Sequence, residues 1–119
     1  ARIALGPELP AFFTNNDDLA KQLGRHCETE NDPLWRLPLW QPYNKMIKGK
    51  VADLNNAAES GLAGAITAAL FLETFVNEGT CWAHIDMMAW NPASMPGRPE
   101  GGEAMTIRAL FALIKERFV

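Results

Sequence analysis

The sequence predicts an α/β fold, and three observations predict it. First, the run Cys81–Asn91, read with a period of two, puts Trp82, His84, Asp86, Met88 and Trp90 on one face and Cys81, Ala83, Ile85, Met87 and Ala89 on the other. One face is apolar throughout, and the other holds a His and an Asp between two indoles, so neither is built for water. A strand of that kind belongs in the middle of a sheet covered on both sides. Second, Ala65 to Asn77 is apolar almost all round, as in a helix buried on most sides. Third, Gly79 stops that helix and the central strand opens only two residues later, the short connection of α/β layering.

Bulk properties bound the rest. The chain has 119 residues, enough for one domain that buries roughly two thirds of the surface exposed by its unfolded form. With 48% apolar and 21% charged residues it falls outside the disordered class. A net charge of -3 leaves no basic footprint for nucleic acid or an anionic membrane. No apolar run approaches a membrane span, and Ala1–Pro7 lacks the pattern of a leader. The expectation is a cytoplasmic protein with Cys27 and Cys81 as reduced thiols.

Taken in order, Arg2–Leu5 is a short apolar run stopped by Gly6 and Pro7 and reads as a first strand. Ala11–Thr14 reads as a second, ended by Asn15 and Asn16. A start directly on a strand points to part of something longer. Asn16 is the expected N-cap of a helix over Asp17–Thr29, because its side-chain oxygen can take an orphan amide while Asp17 and Asp18 complement the helix's positive end. Leu19, Ala20, Leu23 and Cys27 mark the inner face and leave His26 at the solvated edge.

Pro33, Pro38 and Pro42 keep Leu34–Tyr43 irregular. Trp35, Trp40 and the leucines at 34, 37 and 39 would be costly to leave in water, at about 25 cal/mol per Å² of apolar area. The segment is therefore expected to pack on its own domain or on a partner. Lys45, Lys48 and Lys50 form a small solvated cluster, Asp53 and Asn55 follow, and the small-residue loop Ala57–Gly64 leads into the apolar helix.

Beyond the central strand, residues 92–102 are rich in Pro and Gly. Loops in that position hold ligands in α/β proteins, and the same composition also makes a mobile surface connection; both readings stay open. Glu103 is expected to open the last helix, with Ile107, Leu110, Phe111, Ile114 and Phe118 facing the core and Lys115 and Arg117 at its negative end.

Chemistry-bearing motifs are sparse. There is no Walker loop, dinucleotide fingerprint, nucleophile elbow, H-E-x-x-H motif or internal repeat. The polar residues that could form a site are His84 and Asp86, with Asp53, Asn55 and the glycine-rich loop. The His84–Asp86 pair reads either as metal ligands, or a base with its orienting carboxylate, or as a buried, hydrogen-bonded structural pair. One His and one Asp do not complete a coordination sphere, and a two-metal hydrolase needs a larger group of carboxylates. The chain looks chemically incomplete.

Five blocks then add up. Phe13–Leu19, Asp32–Trp40 with Tyr43, Ala52–Asn56, Gly64–Ala69 and Trp82–Asp86 resemble, in order and spacing, the leucyl (cytosol) aminopeptidase family over nearly the whole chain. The resemblance implies a three-layer α/β/α zinc-peptidase-like domain with a central mixed sheet. It also implies two divalent metals, zinc or manganese, that polarise the scissile carbonyl and activate a bridging water. The implied substrate is a peptide that loses its N-terminal amino acid, and the implied assembly is a homohexamer with active sites facing an interior cavity.

The family signature Asn-Thr-Asp-Ala-Glu-Gly-Arg, which supplies metal ligands and an anion-holding Arg, is absent, and it precedes the part of the family that this chain resembles. Residues 1–119 therefore correspond to the C-terminal portion of a single catalytic domain, without a catalytic or metal-ligand residue and inactive alone. What carries over is the pocket for the substrate's N-terminal side chain, implied at Met88, Ala89 and Asn91. The run Met88-Ala89-Trp90-Asn91-Pro92 departs from the family's small residues there: bulk at Met88 shrinks the pocket and Asn91 adds polarity. On this resemblance His84 and Asp86 become a structural clamp. The alternatives are a noncatalytic scaffold or subunit-interaction module with the same fold, and a small metal site at His84 and Asp86.

Overall fold

The computed structural model of the chain describes residues 1–48 and 61–119. Lys50, Asp53, Asn55 and the first half of the small-residue loop lie outside the described residues. The organising element is β1, Ala11–Thr14, and not the Cys81–Asn91 run. All four of its residues are buried, Ala11 and Phe13 completely. β1 lies parallel to β2 (Trp35–Arg36) and antiparallel to β3 (Ala83–Asp86), which gives a mixed sheet in the order β2-β1-β3.

Side chains alternate along β1, so it feeds two cores. Phe12 packs with Leu19, Ala20, Leu23 and Cys27 of α2 (Asp17–Thr29) and with Ala109 and Leu113 of α4 (Ile107–Phe118). Ala11 and Phe13 pack on the other face with Ala69 of α3 (Gly64–Glu73), ringed by Leu37, Leu39, Ile66 and Trp82. Helices thus cover both faces of a mixed sheet, the α/β/α layering expected from the sequence. α2 has the expected bounds: the Asn16 side chain accepts from the Leu19 amide at 2.8 Å, and the four predicted inner residues are buried. His26 is not left in solvent, because α4 lies along α2 and its Glu116 pairs with both His26 and Arg25.

Several expectations need correction. Arg2–Leu5 forms a helical turn (α1), not a strand: its amides bond back locally, as in Leu5 N to Ala1 O at 2.8 Å, and no strand among the described residues lies beside it. The supposed central strand ends at Asp86 and pairs, among the described residues, with β1 alone, at an edge of the sheet. Ala89 then takes a left-handed φ of 51°, and pairing resumes in a separate ribbon of β4 (Trp90–Asn91) with β5 (Gly101–Gly102). A period of two cannot reveal a one-residue break of that kind.

The helices also differ in their exposure. α3 stops at Glu73, before Gly79, and only Thr67, Ala69 and Leu70 along it are buried. Phe75 just beyond it is 69% exposed. α4 starts at Ile107 rather than Glu103, and of the predicted core stripe only Leu110 packs inward. Ile107, Phe111, Ile114 and Phe118 face outward, because Ala109 and Leu113 occupy the side that meets α2 and β1. Trp35 and Trp40 likewise remain more than half exposed, while Leu37 and Leu39 pack inward.

Candidate functional site

The site is built from the two ends of β3. Its entry is fixed by the end of β1. The Thr14 hydroxyl donates to Trp82 O at 2.6 Å, and Asn15 brackets the strand by donating to Thr80 O at 2.8 Å and accepting from Trp82 N at 3.1 Å. His84 then stands opposite Phe13 in the register, its ring stacked 5.9 Å away at 24°, with the Trp82 indole 6.5 Å off. Burial pushes the imidazole below its ordinary pKa, and the nearby Asp86 carboxylate pulls it partly back.

At the exit, Met87 and Met88 are partly exposed, and the strained Ala89 turns the chain. A left-handed non-glycine residue costs about 1–2 kcal/mol, held here by the bond from Glu103 N to Ala89 O at 2.9 Å. Met88, Met87 and Asp86 line a hollow of about 210 Å³ against the turn at Gly6 and Pro7. Asn91 lies elsewhere, beside a second hollow of about 150 Å³ with Trp90 and Met95. The structure does not bring Met88 and Asn91 to one hollow.

Asn91 is 4% exposed and turned into the following loop. Its amide donates to Arg98 O at 3.0 Å and to Pro99 O at 2.9 Å, and its oxygen accepts from Ala93 N at 3.5 Å. Met95 and Arg98 exchange backbone bonds of 2.8 and 2.9 Å around Gly97, whose φ of 72° suits a residue without a Cβ. The Arg98 guanidinium pairs with Glu103. The Pro- and Gly-rich segment is therefore a tied hairpin, and the polarity of Asn91 is spent inside it.

Asp32 was missed by sequence reasoning. This buried carboxylate accepts from Thr106 N and Ala109 N, both at 3.0 Å, and so caps α4, whose own preceding residue, Thr106, makes no side-chain cap bond. An Asp before a Pro signals only a turn, so nothing local could have revealed the distant partner. Arg108 closes the same corner through the carbonyls of Glu30 and Asn31.

Among the described residues no group of three or more His, Cys, Asp or Glu side chains could hold a metal ion. Among the same described residues His84 and Asp86 gain no third donor for a metal. No described helix is long and apolar enough to cross a membrane.

The deciding observation comes from comparison. The model of the cytosol aminopeptidase family's catalytic domain matches residues 1–111. The chain belongs to the cytosol aminopeptidase family. Among its relatives, a probable cytosol aminopeptidase of Syntrophotalea carbinolica is 44% identical over 116 residues, covering 96% of this chain and 23% of that protein. The crystal structure of the cytosol aminopeptidase from Coxiella burnetii superposes with a TM-score of 0.94 at 53% identity, over 99% of this chain and 26% of that one. The bottromycin maturation enzyme BotP in complex with Mn gives a TM-score of 0.90 at 32% identity, over 97% of this chain and 26% of its own. The α/β fold is thus that of the cytosol aminopeptidases, and the chain spans about a quarter of the length of these relatives.

Proposed function

We propose that residues 1–119 are the C-terminal portion of the catalytic domain of a cytoplasmic metallo-aminopeptidase that removes N-terminal amino acids from peptides. The observation that carries this is the family match over residues 1–111. Two divalent ions, zinc or manganese, belong to the same reading, supported by the Mn complex of BotP. Among the described residues no donor set holds either ion, so no catalytic step is assigned to this chain, and turnover is expected of the family-length protein. A hexamer of the full-length protein completes the reading.

Within that enzyme this chain supplies the supporting sheet and part of the substrate pocket. Met88 forms the wall, on the exposed exit of β3, and Ala89 sets the turn that presents it. Asn91 serves the pocket by holding the hairpin behind it, since its amide hydrogens already go to Arg98 and Pro99. The pocket side of the exit is therefore a thioether surface rather than a polar one.

The test is an amino-acid anilide assay on the 119-residue chain and on a family-length protein extended through the signature, each with added manganese or zinc. The expected result is turnover by the long protein alone. Turnover by the short chain would show that it carries its own chemistry. A folded, metal-loaded long protein without activity would favour the noncatalytic scaffold instead.

A further inference from the structure

We infer that the outer seam of α4 docks an amphipathic helix with acidic flanks, contributed by a part of the family-length polypeptide that lies outside these 119 residues. The inference rests on the reading of the chain as part of a longer aminopeptidase. Ile107, Phe111, Ile114 and Phe118 recur at steps of four, three and four, the spacing of a two-helix seam. They are 61%, 67%, 54% and 78% exposed, while Ala109 and Leu113 on the opposite side are buried against α2 and β1. α4 is thus apolar on two faces, with one face used and the other open. Single exposed apolar residues are ordinary, but two Phe and two Ile in one line mark a contact surface.

Charge selects the occupant. The positions beside the seam carry Arg108 and Lys115 on one side and Arg117 on the other. Arg108 donates to backbone carbonyls and lies 3.9 Å from the buried Asp32, Arg117 donates to the Gln22 amide oxygen, and Lys115 has no ion pair among the described residues. Glu30 is the one carboxylate lining the hollow of about 340 Å³ beside Ile107, Phe111 and Lys115. Glu116 is engaged on the inner side by Arg25 and His26. A second copy of α4 laid antiparallel on this seam would set Arg108 against Lys115. Like charges at those positions oppose pairing, whereas Asp or Glu there favours it.

Synthetic peptides of about 20 residues, long enough for a stable turn count, are tiled along the coding sequence contiguous with this chain. Each is titrated into the 119-residue chain by calorimetry at low and high salt, with sedimentation velocity on the chain alone. One acidic, amphipathic tile is expected to bind, more weakly at high salt, with affinity falling at least tenfold in Phe111→Glu and several-fold in Lys115→Glu. Both positions are exposed, and circular dichroism reports whether the variants stay folded. Self-association abolished by Phe111→Glu overturns the inference in favour of a second copy. Contiguous aminopeptidase sequence from which no tile binds overturns the docking inference alone. Contiguous sequence of another kind overturns the reading beneath it.

Discussion

Asp32 and Ala109 are joined, 77 residues apart, by a hydrogen bond of 3.0 Å from the Ala109 amide to Asp32 Oδ2, while Oδ1 takes the Thr106 amide. One buried carboxylate thereby fixes where α4 begins, and with it the end of the hairpin that follows β4. Caps of this kind contribute about 0.5–2 kcal/mol, and orphaning buried amides adds to that. Asp32→Ala is expected to lower stability in urea unfolding by about 1–3 kcal/mol. Asp32→Asn, which keeps one acceptor, should fall between. An Ala variant as stable as the parent would remove the cap from the account of α4.

Asn91 is expected to act on the loop before it acts on anything else. Asn91→Ala leaves the Arg98 and Pro99 carbonyls without their side-chain donor. Amide exchange across residues 92–100 should quicken, while that of α2 stays at the parent rate. Uniform quickening in both regions would instead mean that Asn91 supports the whole domain.

His84 should make stability depend on pH. Its folded pKa lies below the ordinary value of 6.5, with burial as the main cause, so the unfolded chain binds the proton more readily. Stability from this group is present above about pH 6.5 and is lost as pH falls toward the depressed folded value. Replacing His84 by Phe keeps an aromatic ring against Phe13 and removes the titration. The urea midpoint of the parent should therefore drop more between neutral and mildly acidic pH than that of His84→Phe. Parallel curves would contradict this.

Met88 should limit the substrate's N-terminal side chain in the family-length enzyme. Removing the thioether by Met88→Ala enlarges the hollow at the β3 exit. The ratio of kcat/KM for leucyl over alanyl anilide is expected to rise by about tenfold, the scale of a small change in apolar pocket volume. If the ratio does not move, Met88 is not part of that wall.

Local signals carried much of the fold. Asn16 before two Asp, and apolar residues at 19, 20, 23 and 27, specify α2 to the residue, because cap and period lie within one segment. The run Ala11–Thr14 was visible as a strand for the same reason. The candidate site was less legible. Met88 was placed at an exposed exit, but Asn91 read as pocket polarity and turned out to face its own hairpin, since its partners Arg98 and Pro99 meet it only after the chain folds back.

The sequence by itself determined the α/β class, the position of α2, the apolar character of α3 and α4, and the family to which the blocks from Phe13 to Asp86 belong. Only the tertiary structure decided which strand lies between the others among the described residues and which side of α4 is inside. Both depend on a competition between faces. β1 lies between β2 and β3 because Phe12 and Phe13 find helices on opposite sides, and α4 turns Ala109 and Leu113 inward because small and branched side chains fit closely over α2. Periodicity marks a face as apolar, but it does not say which of two apolar faces finds a neighbour first.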